Sequence, residues 1–148
     1  MLAPVEARLS GLLAAVAPAA RRALARAIAI KLRASQAQRI GQQQNPDGSA
    51  FEPRRGRLRS KKGFVRRKMF SKIRTSRWLK IEASPESAVV AFAGQVQRMA
   101  QVHQGGLRDK VNRRGGPEVT YPKRELLGLT DADIEAIEDA VLAQLAAQ

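Results

Sequence analysis

Between Arg54 and Lys80 the chain places Arg54, Arg55, Arg57, Arg59, Lys61, Lys62, Arg66, Arg67, Lys68, Lys72, Arg74, Arg77 and Lys80 without one acidic residue, nearly half of its 27 lysines and arginines. So dense a charge with so few apolar anchors cannot repay its ordering entropy by burial, so the part up to about Arg67 reads as an extended basic arm. Met69, Phe70, Ile73, Trp78 and Leu79 then return the chain to a core, by way of an expected short helix. The fold has to be built from what flanks this stretch.

On the N-terminal side, Val5, Leu9, Leu12, Leu13 and Val16 recur at three- and four-residue spacing, the signature of a short helix. Pro18 ends it or opens the next. From Ala19 to about Gln43 nothing interrupts a second, longer helix, along whose face run Leu24, Ile28, Leu32, Ser35 and Arg39. That stripe is apolar early and polar late, so the C-terminal end of the helix is expected to project from the core. Gln44-Asn45-Pro46-Asp47-Gly48 halts it with a proline and a turn pair, starting a surface loop that leads into the arm, about 45–68.

On the C-terminal side, Leu79-Lys80-Ile81-Glu82-Ala83 and Ala88-Val89-Val90-Ala91-Phe92 flank Ser84-Pro85-Glu86-Ser87, which predicts a β-hairpin over about 79–93. A short helix from Val96 to Gln104 should stop at Gly105-Gly106. Leu107 to Tyr121, broken by Gly115, Gly116 and Pro117, reads as a long loop exposing Arg108, Lys110, Arg113 and Arg114. Thr130 then caps a helix over about 130–146, with Asp131 and Asp133 at its positive end and Ile134, Ile137, Val141, Leu142 and Leu145 as its stripe. The expected class is α+β: a long N-terminal helix, a small antiparallel sheet, a C-terminal helix and a long basic loop or arm, in one domain, 1–148. The aromatic content is only 4%, so the core is thin and stability is expected to lean on partner subunits.

A net charge of +14 points to a polyanionic neighbour. It is unevenly spread, because no lysine or arginine follows Arg124, whereas Asp131, Asp133, Glu135, Glu138 and Asp139 all do. A ring of identical subunits could set the basic face of one against the acidic face of the next. There is no cysteine and one histidine, which rules out a disulfide framework and a thiolate or histidine-rich metal site within one chain. No stretch approaches the roughly 20 apolar residues that span a bilayer, and no charged segment followed by an apolar run opens the chain, so no membrane role is expected.

No catalytic constellation is legible: there is no HExxH, Walker loop or GxGxxG, and no Ser/His/Asp set with a context to support it. His103 falls on the apolar side of its helix beside Met99 and Ala100, where a packed histidine is the usual outcome. The glycine pairs are read as turns, not phosphate cradles, since neither follows a strand and opens a helix. Trp78, Phe70 and Phe92 are core anchors first and interface candidates second. The basic run suits sequence-independent, salt-sensitive phosphate binding, and equally a solvated loop meeting acidic protein. Aromatics interleave with it too thinly for base-specific reading.

Four stretches together resemble the phage tail-completion, or virion morphogenesis, family: Gln44 to Gly48 with Phe51-Glu52-Pro53-Arg54; Arg67-Lys68-Met69-Phe70; Val102-His103-Gln104-Gly105-Gly106; and Tyr121-Pro122-Lys123-Arg124-Glu125-Leu126-Leu127-Gly128-Leu129-Thr130. They stand in the family's order and span most of the chain. The resemblance implies a non-enzymatic virion part, without cofactor or metal, made in the host cytoplasm and resident at the neck or head-proximal end of the tail. It implies a ring, six-fold by analogy, around the DNA channel, in contact with neck, tail-terminator or tail-tube proteins. On that reading Arg54, Arg55, Arg57, Arg59, Lys61, Lys62, Arg66, Arg67 and Lys68 are the candidate interface or DNA-channel contacts, and Arg124 the candidate inter-subunit ion-pair partner. The alternative is a nucleic-acid-binding protein working through 54–80. A hydrolase acting on cell wall or DNA is a third, weaker reading, because its carboxylate, histidine or metal set is missing.

Overall fold

The structure, a computed structural model, describes residues 3–54, 59–60, 63–64, 68–111 and 114–147. The elements in chain order are α1 (Ala3–Ala14), α2 (Pro18–Gly41), β1 (Arg59–Ser60), β2 (Gly63–Phe64), β3 (Leu79–Ala83), β4 (Ala88–Phe92), α3 (Gln97–Gly105), β5 (Arg108–Lys110), β6 (Glu118–Thr120) and α4 (Asp131–Ala146). Among the described residues the strands pair in sequence order as three two-stranded ladders, β1 with β2, β3 with β4 and β5 with β6. The α+β class, the long N-terminal helix, the 79–93 hairpin and the C-terminal helix stand as expected.

Contacts divide the chain into two compact units: 1–35 with 81–91 and 129–148, and 36–80 with 92–128. In the first unit Pro18 occupies the first position of α2, where its missing N–H costs nothing. The buried side chains here are small, with Val16, Ala25, Ala29 and Val141 below a tenth exposed. Helix α4 begins with a reciprocal cap: the Thr130 hydroxyl accepts from the Asp133 N–H, and the Asp133 carboxylate accepts from the Thr130 N–H, each at 3.0 Å. The other Asp133 oxygen accepts from the hydroxyl of Ser35 on α2, so this buried carboxylate both starts α4 and ties it to α2.

The second unit holds the larger core, in which Ile40, Phe51, Ile73, Leu79, Phe92, Ala100, Val102 and Leu126 are buried, Ile40, Leu79 and Leu126 completely. Each fully buried large aliphatic chain contributes about 1.5–3 kcal/mol. The loop after α2 turns as the sequence predicts, with Gly48 at φ 88° and its N–H donating to the Asn45 carbonyl at 2.9 Å. Helix α3 stops at Gly106, whose φ of 62° is left-handed and whose neighbour Leu107 closes back on the Val102 carbonyl at 2.9 Å.

Three expectations are corrected. The C-terminal end of α2 does not project: Gln36, Arg39 and Ile40 are all buried, because the two polar side chains have backbone carbonyl and amide partners inside the unit. The stretch from Leu107 to Tyr121 is not all loop, since β5 and β6 pair with Arg108 opposite Thr120 and Lys110 opposite Glu118. These three-residue strands carry no apolar alternation to announce them; their side chains are tied instead by the exposed ion pairs Arg108–Glu118 at 3.1 Å and Arg98–Asp109 at 3.0 Å. Residues 69–78 are a series of turns in place of the short helix, with Phe70 at φ 64°.

Candidate assembly interface

The backbone from Arg124 to Gly128 belongs to no helix or strand, and a buried peptide must find partners somewhere. It finds them on side chains. The Glu125 N–H donates to the Asn45 side-chain carbonyl at 2.9 Å, the Leu127 N–H to that of Gln104 at 2.9 Å, and the Gly128 N–H to that of Gln36 at 3.1 Å. In the other direction Arg39 donates to the carbonyls of Glu125 and Leu126, each at 2.9 Å, and the Gln104 amide to that of Leu127 at 2.8 Å. The segment is held as a central strand would be, with side-chain amides and a guanidinium standing in for neighbouring strands.

Arg124 is the second fastening. It is only 3% exposed, and its guanidinium donates through Nε to the Glu52 carbonyl at 2.8 Å, through Nη2 to the Pro53 carbonyl at 3.1 Å and through Nη1 to His103 Nδ1 at 3.0 Å. Its own N–H donates to the His103 carbonyl at 2.7 Å. A guanidinium has only donors, so Nδ1 must be the bare acceptor and the proton of the neutral ring must sit on Nε2. Burial, helped by the Arg124 charge, lowers the His103 pKa to about 4, which keeps the ring neutral at pH 7. Burial likewise pushes the Arg124 guanidinium below its usual value, against the pull of the Glu52 carboxylate.

His103 is the third ring in a chain of four. Phe51 meets Phe70 edge-on at 5.9 Å, Phe70 meets His103 at 4.9 Å, and His103 meets Tyr121 at 4.9 Å. Gln43, at φ 59°, supplies the remaining tie, donating to the Met69 carbonyl and accepting from the Met69 N–H, each at 2.9 Å. Parts of all four stretches singled out in the sequence, 44–54, 68–70, 102–106 and 121–128, far apart along the chain, therefore lie in this one unit.

Beside the ring chain lies a cleft of about 580 Å³, lined mostly by apolar side chains, among them Met69, Ile73, Met99, Val111, Val119 and Tyr121. Arg54, Lys68 and Lys72 contribute basic groups to the same lining. Met99 and Val111 are 40% and 55% exposed, more than a core side chain would be. In the same unit, Arg77 lies over the half-buried Trp78 ring at 4.9 Å.

The sequence candidates are distributed as follows. Arg54 is half-buried and Lys68 exposed, and both line the cleft. Arg55, Arg57, Lys61, Lys62, Arg66 and Arg67 lie outside the described residues, and Arg59 is described only as part of β1, opposite Phe64. Arg124 is turned inward and hydrogen-bonded within its own chain. Sequence reasoning missed Gln36, Arg39 and Gln104; the available signal was that Gln36 and Arg39 continue the helical face of Ala25, Ala29 and Ile40. Among the described residues no three histidines or carboxylates are grouped to hold a metal ion, and no helix is long and apolar enough to cross a membrane.

Residues 1–146 match the phage virion morphogenesis family. Over 142 residues the chain is 45% identical to tail completion protein S of Escherichia phage P2, an alignment that covers 95% of this chain and 94% of that one. No solved structure matches.

Proposed function

This chain belongs to the phage virion morphogenesis family, and on that footing we propose that it is a structural, non-enzymatic part that completes the tail of a bacteriophage. The observation that carries the reading is 45% identity, over nearly the whole length, to a protein named for tail completion. We further propose that it assembles as an oligomeric ring, six-fold by analogy, in the neck between head and tail, around the channel through which DNA passes. The division into a basic middle and an acidic end supports self-assembly, because each copy then carries both complements of one contact. The basic candidates to test at that contact are Arg54 and Lys68, with Arg55, Arg57, Arg59, Lys61, Lys62, Arg66 and Arg67. Arg124 enters as the internal fastening of the unit that presents them.

Electron cryo-microscopy of intact particles tests this directly. Density for the chain as a ring where head meets tail is the expected result. A chain absent from finished particles would overturn it.

A second reading, sequence-independent nucleic-acid binding, is favoured by one observation. Among the described residues Lys68, Lys72, Arg77 and Lys80 have no carboxylate within ion-pair distance. If that reading holds, duplex affinity falls steeply with salt, and neutral substitutions over 54–80 abolish it while leaving particle assembly intact.

A further inference from the structure

Helix α4 is covered on one side only. Asp131, Glu135, Asp139, Leu142, Ala143 and Ala146 are exposed and fall three or four residues apart, so they form a single outward face. That face is acidic along its first turns and apolar along its last, where Leu142 is 57% exposed. The cleft of the second unit is its complement, with the exposed Lys68 and Lys72 beside an apolar lining that leaves Met99 and Val111 uncovered.

We infer that this cleft receives the outward face of α4 from a second copy of the chain, with Leu142 among the apolar lining and the acids against Lys68 and Lys72. The inference rests on the reading of the chain as a self-assembling part and names the surfaces that do it. Charge selects the occupant. A chain of net charge +14 repels its own copies unless its few acids are presented together, and no basic residue after Arg124 dilutes them. Duplex DNA would satisfy the lysines but has nothing to offer the apolar lining, whereas an acidic face that runs into leucine and alanine uses both. A volume of about 580 Å³ admits side chains and not a whole helix, so α4 lies across the opening. Two different patches of one chain meeting in this way make a head-to-tail contact, the kind that closes into rings when its rotation allows.

The absence of native cysteine makes the test clean. Val111→Cys protein is mixed with isotopically heavy Leu142→Cys protein under mild oxidation, and the disulfide-linked heterodimer is identified by mass. Val89→Cys, 39% exposed on β4, replaces Val111→Cys as the control. Met99→Cys serves as a second reporter on the cleft should Val111→Cys unfold the protein. The expected result is heterodimer from either cleft cysteine and not from the control, lost when Asp139→Lys is added to the Leu142→Cys copy and regained with Lys72→Glu on the other. Self-association by sedimentation with no cleft cross-link above the control overturns the inference and leaves the ring standing. No self-association, in solution or in purified tails, overturns both.

Discussion

Arg124 carries a positive charge into the interior without a carboxylate at its nitrogens, and spends it on two carbonyls and an imidazole. Arg124→Met should therefore leave those acceptors unpaired and lower the unfolding free energy by roughly 2–4 kcal/mol, read by urea denaturation. Arg124→Lys should recover only part of this, because an ammonium cannot reproduce the planar fork. His103 adds a pH dependence whose sign follows from its lowered pKa of about 4. Below the usual imidazole value the unfolded chain takes up a proton that the folded chain refuses, so stability falls as pH drops from about 6.5 to about 4 and levels off beneath. The full effect is on the order of 3 kcal/mol, and His103→Gln should flatten the slope across that window. The histidine's packed role was legible in the spacing of its helix. The inward turn of Arg124 was not, since an arginine in an irregular, charged stretch carries no sign of which carbonyls it will find.

Elements with a chemical start or stop were read closest to their true bounds. Thr130 and its acids place α4, and Thr130→Ala should cost about 1 kcal/mol in a thermal or urea melt, since the Asp133 N–H then loses its acceptor. Gly106 placed the end of α3. Elements that depend on side chains arriving from elsewhere are not legible in the sequence: the last turn of α2 is polar in composition yet buried, because Gln36 and Arg39 are bonded to a segment some ninety residues away. The β5–β6 hairpin escaped because three residues per strand are too few to show alternation. Gly128 belongs to this scale as well, because a Cβ there would stand 2.4 Å from Pro46 Cγ. Gly128→Ala should push the 45–48 turn away from the Arg124–Gly128 segment and destabilise the protein by about 1–3 kcal/mol, seen as a lower melting temperature with unchanged helix content.

At the scale of the whole molecule the distribution of charge matters more than its total. If opposite faces of successive copies meet, the oligomer population measured by sedimentation should decline as salt rises from about 0.05 to 0.5 M, because exposed ion pairs are screened over that range. An assembly held by apolar burial alone would be indifferent to it. The sequence made the charge division and the family plain. What it withheld was that parts of four distant stretches, each weak as a motif, converge on one unit, because convergence is a property of the folded path and not of spacing along it.

The Arg124–Gly128 backbone has no ladder of its own, yet the amides of Arg124, Glu125, Leu127 and Gly128 all have acceptors within the chain. In hydrogen-exchange terms this apparent coil should behave as a foldon: its protons should wait for the opening of the whole second unit, and exchange as slowly as those of α3. Gln104→Ala should release the Leu127 proton ahead of the others, which makes that amide a clock for the tie that Gln104 supplies.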